Sequence, residues 1–262
     1  MTRLPFVVAA LAAAVWIASR PGDAPGCGGA TRPGDRVDVA DETALVVWDA
    51  KARTEHFIRR ATVQSTGYDF GFLVPTPSRP ELAAADDDLF KELAELTAPK
   101  TETHTISGSP IGACGGGSAT HGDRGERFVP GGGVVVLEKK RVGDFDAAVL
   151  AFRPEAKNDP TAGAAELDAW LVQNGYAFTP SLRSWVEPYV RNGWVITAFK
   201  IAADFKPADK TEPEPAGKST VNLGARPVRM SFKTDRPFFP YREPDDQRDE
   251  RAKSVPRLLR VF

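Results

Sequence analysis

Between Leu167 and Ile201 the sequence carries the pattern that most narrows its fold: two amphipathic helices followed at once by a strand. Leu167, Trp170 and Leu171 share one helical face, and Asn174-Gly175 supplies the stop. Thr179 is a natural N-cap for the second helix, with Pro180 at its first position. Leu182, Trp185, Val186, Tyr189 and Val190 then recur at the spacing of one buried face, and Asn192-Gly193 closes the helix. Trp194 to Ile201 is apolar and β-branched enough to be a strand. Two helices of this kind must bury their stripes against something, and strand patterns stand on both sides of them.

Upstream, Ala44-Leu45-Val46-Val47-Trp48 and the run Thr54–Gln64 read as two strands, joined through the polar stretch Asp49–Arg53. Tyr68–Val74 is a third strand, stopped by Pro75, Pro77 and Pro80. Asp86-Asp87-Asp88 opens a helix, since carboxylates favour the positive end of the helix dipole. Leu89, Leu93 and Leu96, with Phe90, form its expected buried stripe, and Pro99 ends it. Residues 107–133 are rich in Gly, Ser and Thr and read as a flexible loop. Val134–Leu137 and Phe145–Phe152 resume a strand–turn–strand pattern, 208–218 is a Pro- and charge-rich linker, and Val228–Phe232 begins a last strand region. Strands, then helices, then strands predict an α+β domain with a largely antiparallel sheet, three main helices packed on it and a flexible Gly-rich loop. Leu258–Phe262 looks like a strand that begins where the chain stops, either an edge strand or the sign of a truncated reading frame. A terminal Phe is also common in outer-membrane barrels, but three helices and repeated prolines do not fit alternating barrel strands.

The N-terminus sets the compartment. A basic start at Arg3, an uncharged apolar run from Leu4 to Ala18 and the small residues Gly22 and Ala24 match a secretory signal peptide. Cleavage is expected after Ala24, with Ala18 or Ser19 as the other position. The alternatives are an uncleaved anchor, for which the run is short, and a lipidated Cys27, which lacks the usual Leu-led box before it. The expected organisation is therefore a removed signal peptide at 1–24 and a single soluble domain at 25–262. Membrane contact is expected only if the N-terminus is retained or lipidated. With 34 basic against 35 acidic side chains, nothing draws the chain to nucleic acid. A hydrophobic share of 42% is too high for global disorder.

Five blocks carry a family resemblance. They are Ala44–Asp49 with Thr54–Ile58; Asp69–Pro77; Phe145–Leu150; Leu167–Leu171 with Asn174-Gly175-Tyr176; and Pro237-Phe238-Phe239-Pro240-Tyr241-Arg242-Glu243-Pro244. In these the chain resembles a family of exported bacterial proteins, domain of unknown function 2330. The resemblance implies export from a bacterium and brings no catalytic residues to carry over. It also implies a longer typical chain, sometimes ending in a membrane segment, so that this one reads as shortened.

Candidate chemistry is sparse. Cys27 and Cys114, the two cysteines, are expected to form a disulfide in an oxidising compartment, the alternatives being free thiols or one lipidated cysteine. Cys114, His121, Asp123 and His104 are of metal-binding type, but their spacing matches no zinc pattern, and solvated loop residues are the plainer reading. His56 reads as a half-exposed strand residue rather than a general base, and no Gly-x-Ser-x-Gly elbow or phosphate-binding Gly-Lys-Ser/Thr follows the glycine runs. Asp86–Asp88 lacks calcium-loop spacing. Arg59-Arg60 and Lys139-Lys140-Arg141 read as solvated basic spots, and Trp170 and Trp185 as core residues rather than a ligand platform. No catalytic, cofactor or metal residue is assigned, and no cofactor is expected. The expected role is non-enzymatic, in binding or envelope structure. An extracytoplasmic hydrolase using His56, His104 or His121, and a membrane-tethered accessory protein, are the alternatives.

Overall fold

The computed structural model describes residues 29–33, 37–65, 69–98, 133–205, 221–240 and 258–262. Residues 1–24, Cys27, Cys114, most of the 107–133 stretch and the 208–218 stretch lie outside the described residues. In chain order the elements are β1 (Gly29–Thr31), β2 (Val37–Asp49), β3 (Thr54–Ser65), β4 (Phe70–Thr76), β5 (Glu81–Ala84) and α1 (Asp88–Leu96). Then follow β6 (Val135–Val142), β7 (Phe145–Ala151), α2 (Pro160–Gln173), α3 (Pro180–Arg191), β8 (Val195–Ile201), β9 (Val221–Gly224), β10 (Val228–Lys233) and β11 (Leu258–Val261).

The expected α+β fold with mostly antiparallel pairing is present, its strands divided between two sheets. One has five strands in the order β1-β4-β8-β7-β6; the other has the order β11-β2-β3-β10-β5, with β9 also paired to β3. Every pairing is antiparallel except that of β11, which adds to β2 in parallel. The C-terminal strand is thus an edge strand, tied on further by Phe262 N–H to Ala44 O at 2.9 Å.

Burial patterns explain the layering. A strand exposes alternate residues to alternate faces, yet β4 is buried at all seven positions, so both faces of the five-stranded sheet are covered. One face carries Phe72, Phe145 and Phe199, with ring centroids of Phe72 and Phe199 4.9 Å apart. It meets the second sheet, where the Arg59 guanidinium sits 4.6 Å from the Phe72 ring. The opposite face, with Leu73, Ile196, Ala148 and Leu150, shares one core with the buried stripes of α2 and α3. Trp170 and Trp185 lie in that core, as their helical spacing predicts.

Local rules account for the helix ends. Asp159 caps α2 by accepting the Ala162 N–H at 3.0 Å, and Thr179 caps α3 by accepting the Leu182 N–H at 3.2 Å. Gly175 and Gly193 stop these helices with φ of 85° and 68°, a conformation that favours glycine. The α1 stripe needs correcting: Phe90 is buried, Leu89 and Leu93 are half-buried, and Leu96 is 81% exposed. The helix also sits on the second sheet rather than beside α2 and α3. The Arg60 guanidinium, on the outer face of β3, lies 5.2 Å from the Phe90 ring. Asp87 and Asp88 do stand at its start, and Asp86 accepts the Asp88 N–H.

Candidate functional site

Cross-strand register puts ionisable side chains at two places in the layered core. On the helix-covered face, Lys200 of β8 pairs with Asp146 of β7, which pairs in turn with Arg141 of β6. Asp69, just before β4, enters the same row. Its Oδ1 accepts the Tyr176 hydroxyl at 2.7 Å and its Oδ2 accepts Arg32 Nε at 2.7 Å. Lys200 Nζ lies 3.8 Å from Asp69, and Arg141 reaches Asp204 at 2.9 Å and Asp146 at 3.7 Å. Burial alone would raise the Asp69 carboxyl, but the Tyr176 hydroxyl, Arg32 and Lys200 outweigh it and hold its pKa below the usual value. The Tyr176 phenol is pushed strongly up by burial and by donating to Asp69. Burial raises Asp146, whose Oδ2 has no hydrogen-bond partner among the described residues. The network joins the β4 entrance, the turn that follows α2 and the end of β8.

The second place lies between the sheets. Glu42, Glu55 and Arg59 share the inward parity of β2 and β3 with Ala44 and Phe57. Arg59 Nε donates to Glu42 Oε1 at 2.7 Å, and the Arg59 side chain is 3% exposed. The reading of Arg59 as a solvated basic residue is therefore wrong: it is a core cation, paired with Glu42 and stacked on Phe72. Lys140 and Arg141 are exposed on the edge strand β6, as the sequence suggests, and each also ties elements together. Lys140 Nζ donates to Leu82 O at 2.8 Å, linking the edges of the two sheets. Beside Arg59, among Phe70, Phe72, Phe145 and Val228, the remaining space is about 10 Å³, room for one water.

Glu55 is different. It has no exposed surface, its Oε2 accepts the Phe238 N–H at 2.9 Å, and its Oε1 has no hydrogen-bond partner among the described residues. Its cross-strand neighbours are Trp48 and Phe232. Burial pushes the Glu55 carboxyl up to about 7, and the Phe238 N–H offsets part of that rise.

His56 sits one residue away, on the outer face of β3. Its Nδ1 lies 2.8 Å from Ser231 Oγ, directly across the β3–β10 pairing. His104, His121, Asp123, Cys27 and Cys114 lie outside the described residues. Among the described residues no group of three His, Cys, Asp or Glu side chains is placed to hold a metal ion.

The family model described as "Uncharacterized protein conserved in bacteria (DUF2330)" matches residues 21–251. The chain belongs to this family. No curated protein and no solved structure matches it significantly. Both polar places fall inside the DUF2330 span, while β11 lies beyond it. Asp69, Tyr176, Glu55 and Phe238 also stand in the very blocks that carry the resemblance to DUF2330. None of the four stands out as chemistry in the sequence. One signal was available: Glu42 and Glu55 occupy alternate positions in register with Ala44, Val46 and Phe57, where a strand facing a core should be apolar.

Proposed function

We propose that this DUF2330 chain is an exported, non-enzymatic domain with a binding or envelope-structural role. The observation that carries the reading is how three charged groups, buried at Arg59 and half-buried at Asp69 and Asp144, are used to tie the fold together. Glu42 with Arg59, Asp69 with Tyr176 and Arg32, and Asp144 with Arg226 each join separate elements of the fold. A general acid or base needs a proton-transfer partner within reach of substrate, whereas these groups are committed to one another. Export rests on the signal-peptide pattern at 1–24 and on the family resemblance. Among the described residues no helix is long and apolar enough to cross a membrane. In that setting Cys27 and Cys114 pair as a disulfide.

The test is to express the chain with its own N-terminus and fractionate the cells. Intact mass should show an extracytoplasmic species starting at Pro25 that gains two hydrogens on reduction. A full-length cytoplasmic product with two free thiols overturns the reading.

One observation favours the hydrolase alternative, the Ser231–His56 hydrogen bond. A nucleophile and base at that distance is the start of a catalytic pair. Two features argue against it. Glu81 stands beside Ser231 rather than beside His56, so it does not orient the imidazole. Ser231 also lies within β10, whose backbone is laddered to β3 and β5 on both sides, so its own N–H groups are committed to the sheet rather than to an oxyanion. Stoichiometric fluorophosphonate labelling of Ser231 that disappears in His56→Ala would establish the hydrolase. Absence of labelling is the expected result.

A further inference from the structure

We propose that Glu55 is a proton-operated latch: the strap at residues 236–240 closes over the end of the inter-sheet core when the carboxyl is neutral, and ionisation, which makes its burial costly, releases the strap.

The strap leaves β10 at Lys233 and crosses the open end of the inner face. Arg236 and Pro237 are exposed, Phe238 and Phe239 are half-buried, and Pro240 is buried. Phe238 packs on Trp194 at 5.4 Å and on Phe232 at 5.9 Å, while Phe239 meets Phe57 edge-on at 5.6 Å. Pro237 and Pro240 have no N–H to donate. The Phe238 N–H is committed to Glu55.

Closing the strap over an ionised Glu55 would leave a buried carboxylate with one donor and, among the described residues, no partner for its second oxygen. A buried ion in that state is far costlier than the neutral acid. Opening the strap returns the carboxylate to water, at the cost of the Phe238 and Phe239 ring contacts and of the burial of Pro240. The closed form therefore binds the proton and the open form sheds it. Burial places the closed-state carboxyl at about 7, against an ordinary 4.5.

The charges around the strap leave this assignment undisturbed. Toward β2 and β10 Glu55 faces Trp48 and Phe232. Across the core, β4 and β8 turn Thr76, Val195 and Thr197 to this side. Asp49, Arg53, Lys233, Asp235 and Arg236 are exposed; Arg53 pairs with Asp235, and Lys233 binds Ala52 O and Thr54 Oγ1. Arg59 belongs to Glu42 further along β3, and His56 faces the opposite way toward Ser231.

Hydrogen exchange of the full chain, followed by mass spectrometry and corrected for intrinsic rates, tests the latch. With a carboxyl at about 7 closed and 4.5 open, strap opening should increase about thirty-fold between pH 5.5 and 8.5. The strap should open without global unfolding, so its amides should stay far less protected than those of β8 at every pH, and Glu55→Gln should abolish the increase in the strap. A flat strap profile in the natural chain overturns the latch. So does strap protection equal to that of β8, which would mark exchange by global unfolding, or a rise that persists in Glu55→Gln. If Glu55→Gln does not fold, the strap's own pH profile and its lower protection than β8 in the natural chain decide the matter.

Discussion

The two ends of β8 handle buried carboxylates in opposite ways. At the Lys200 end, Asp69 is met by a phenol, a guanidinium and an ammonium, and its pKa falls. At the Val195 end, Glu55 meets Phe238's N–H and aromatic rings, and its pKa rises. The Asp69 side chain keeps 24% of its surface exposed and Glu55 keeps none, yet burial pushes both upward, so burial alone does not set the direction. Partner count does. The Asp69 end is built to stay charged and shut, joining β4, the α2 exit and β8. The Glu55 end is built so that its closed state requires a proton. Rigidity and responsiveness are thus separated along one strand.

The steepest way to break this contrast is to convert a paired carboxylate into an unpaired one. Arg59→Ala leaves Glu42 buried without its cation and removes the stack on Phe72. It should cost about 3–5 kcal/mol in denaturant-induced unfolding near neutral pH. A loss below about 1 kcal/mol would mean that the inter-sheet core tolerates lone charges, and would undercut the account of Glu55.

The next effect tests the unpaired end. Glu55 is raised on folding, so its favourable contribution is complete below about 4.5 and is lost as pH rises through about 7. That shift corresponds to about 3 kcal/mol across the window. Unfolding at pH 5 and pH 8 should show this loss in the natural chain, and Glu55→Gln should flatten the profile by a similar amount. Unchanged pH dependence in the variant would assign the titration to another group.

Much of this arrangement was legible in the sequence, and the part that was not has a physical reason. The α2 and α3 stripes, the Thr179 cap and the Gly175 and Gly193 stops are encoded within a few residues, so local rules recover them. The α+β class follows from their order. The division into two sheets depends on which strands pair across long separations, as when β4 takes β8 as its neighbour rather than β3. No local pattern states that choice. The same holds for the sites. Asp69 and Tyr176 are 107 residues apart, and Glu55 and Phe238 are 183 apart. Each looked unremarkable until topology joined it to its partner. An Arg-Arg pair suggests solvent, yet strand parity sends Arg59 inward and Arg60 outward.

At the paired end, Asp69→Asn removes the charge that three groups share and should cost roughly 2 kcal/mol at pH 7. Asp69 is lowered on folding, so its contribution is present above about 3.8 and fades as pH falls through its folded value. The gap between the natural chain and the variant should therefore narrow in acid, the reverse of the Glu55 profile. A gap that widens in acid would overturn the assignment of the two ends.

The smallest effects sort the partners of Asp69. Tyr176 is buried and its hydroxyl is held at 2.7 Å, so Tyr176→Phe should lose about 1–2 kcal/mol. Arg32 is 56% exposed, and its ion pair is screened by water, so Arg32→Ala should cost under about 1 kcal/mol. Salt separates the two further, because raising ionic strength weakens the Arg32 pair and leaves a buried hydrogen bond between phenol and carboxylate nearly intact. If Arg32→Ala proved the costlier and its cost vanished in high salt, the paired end would be held from its surface. The contrast with Glu55 would then lie in solvent access rather than in partners.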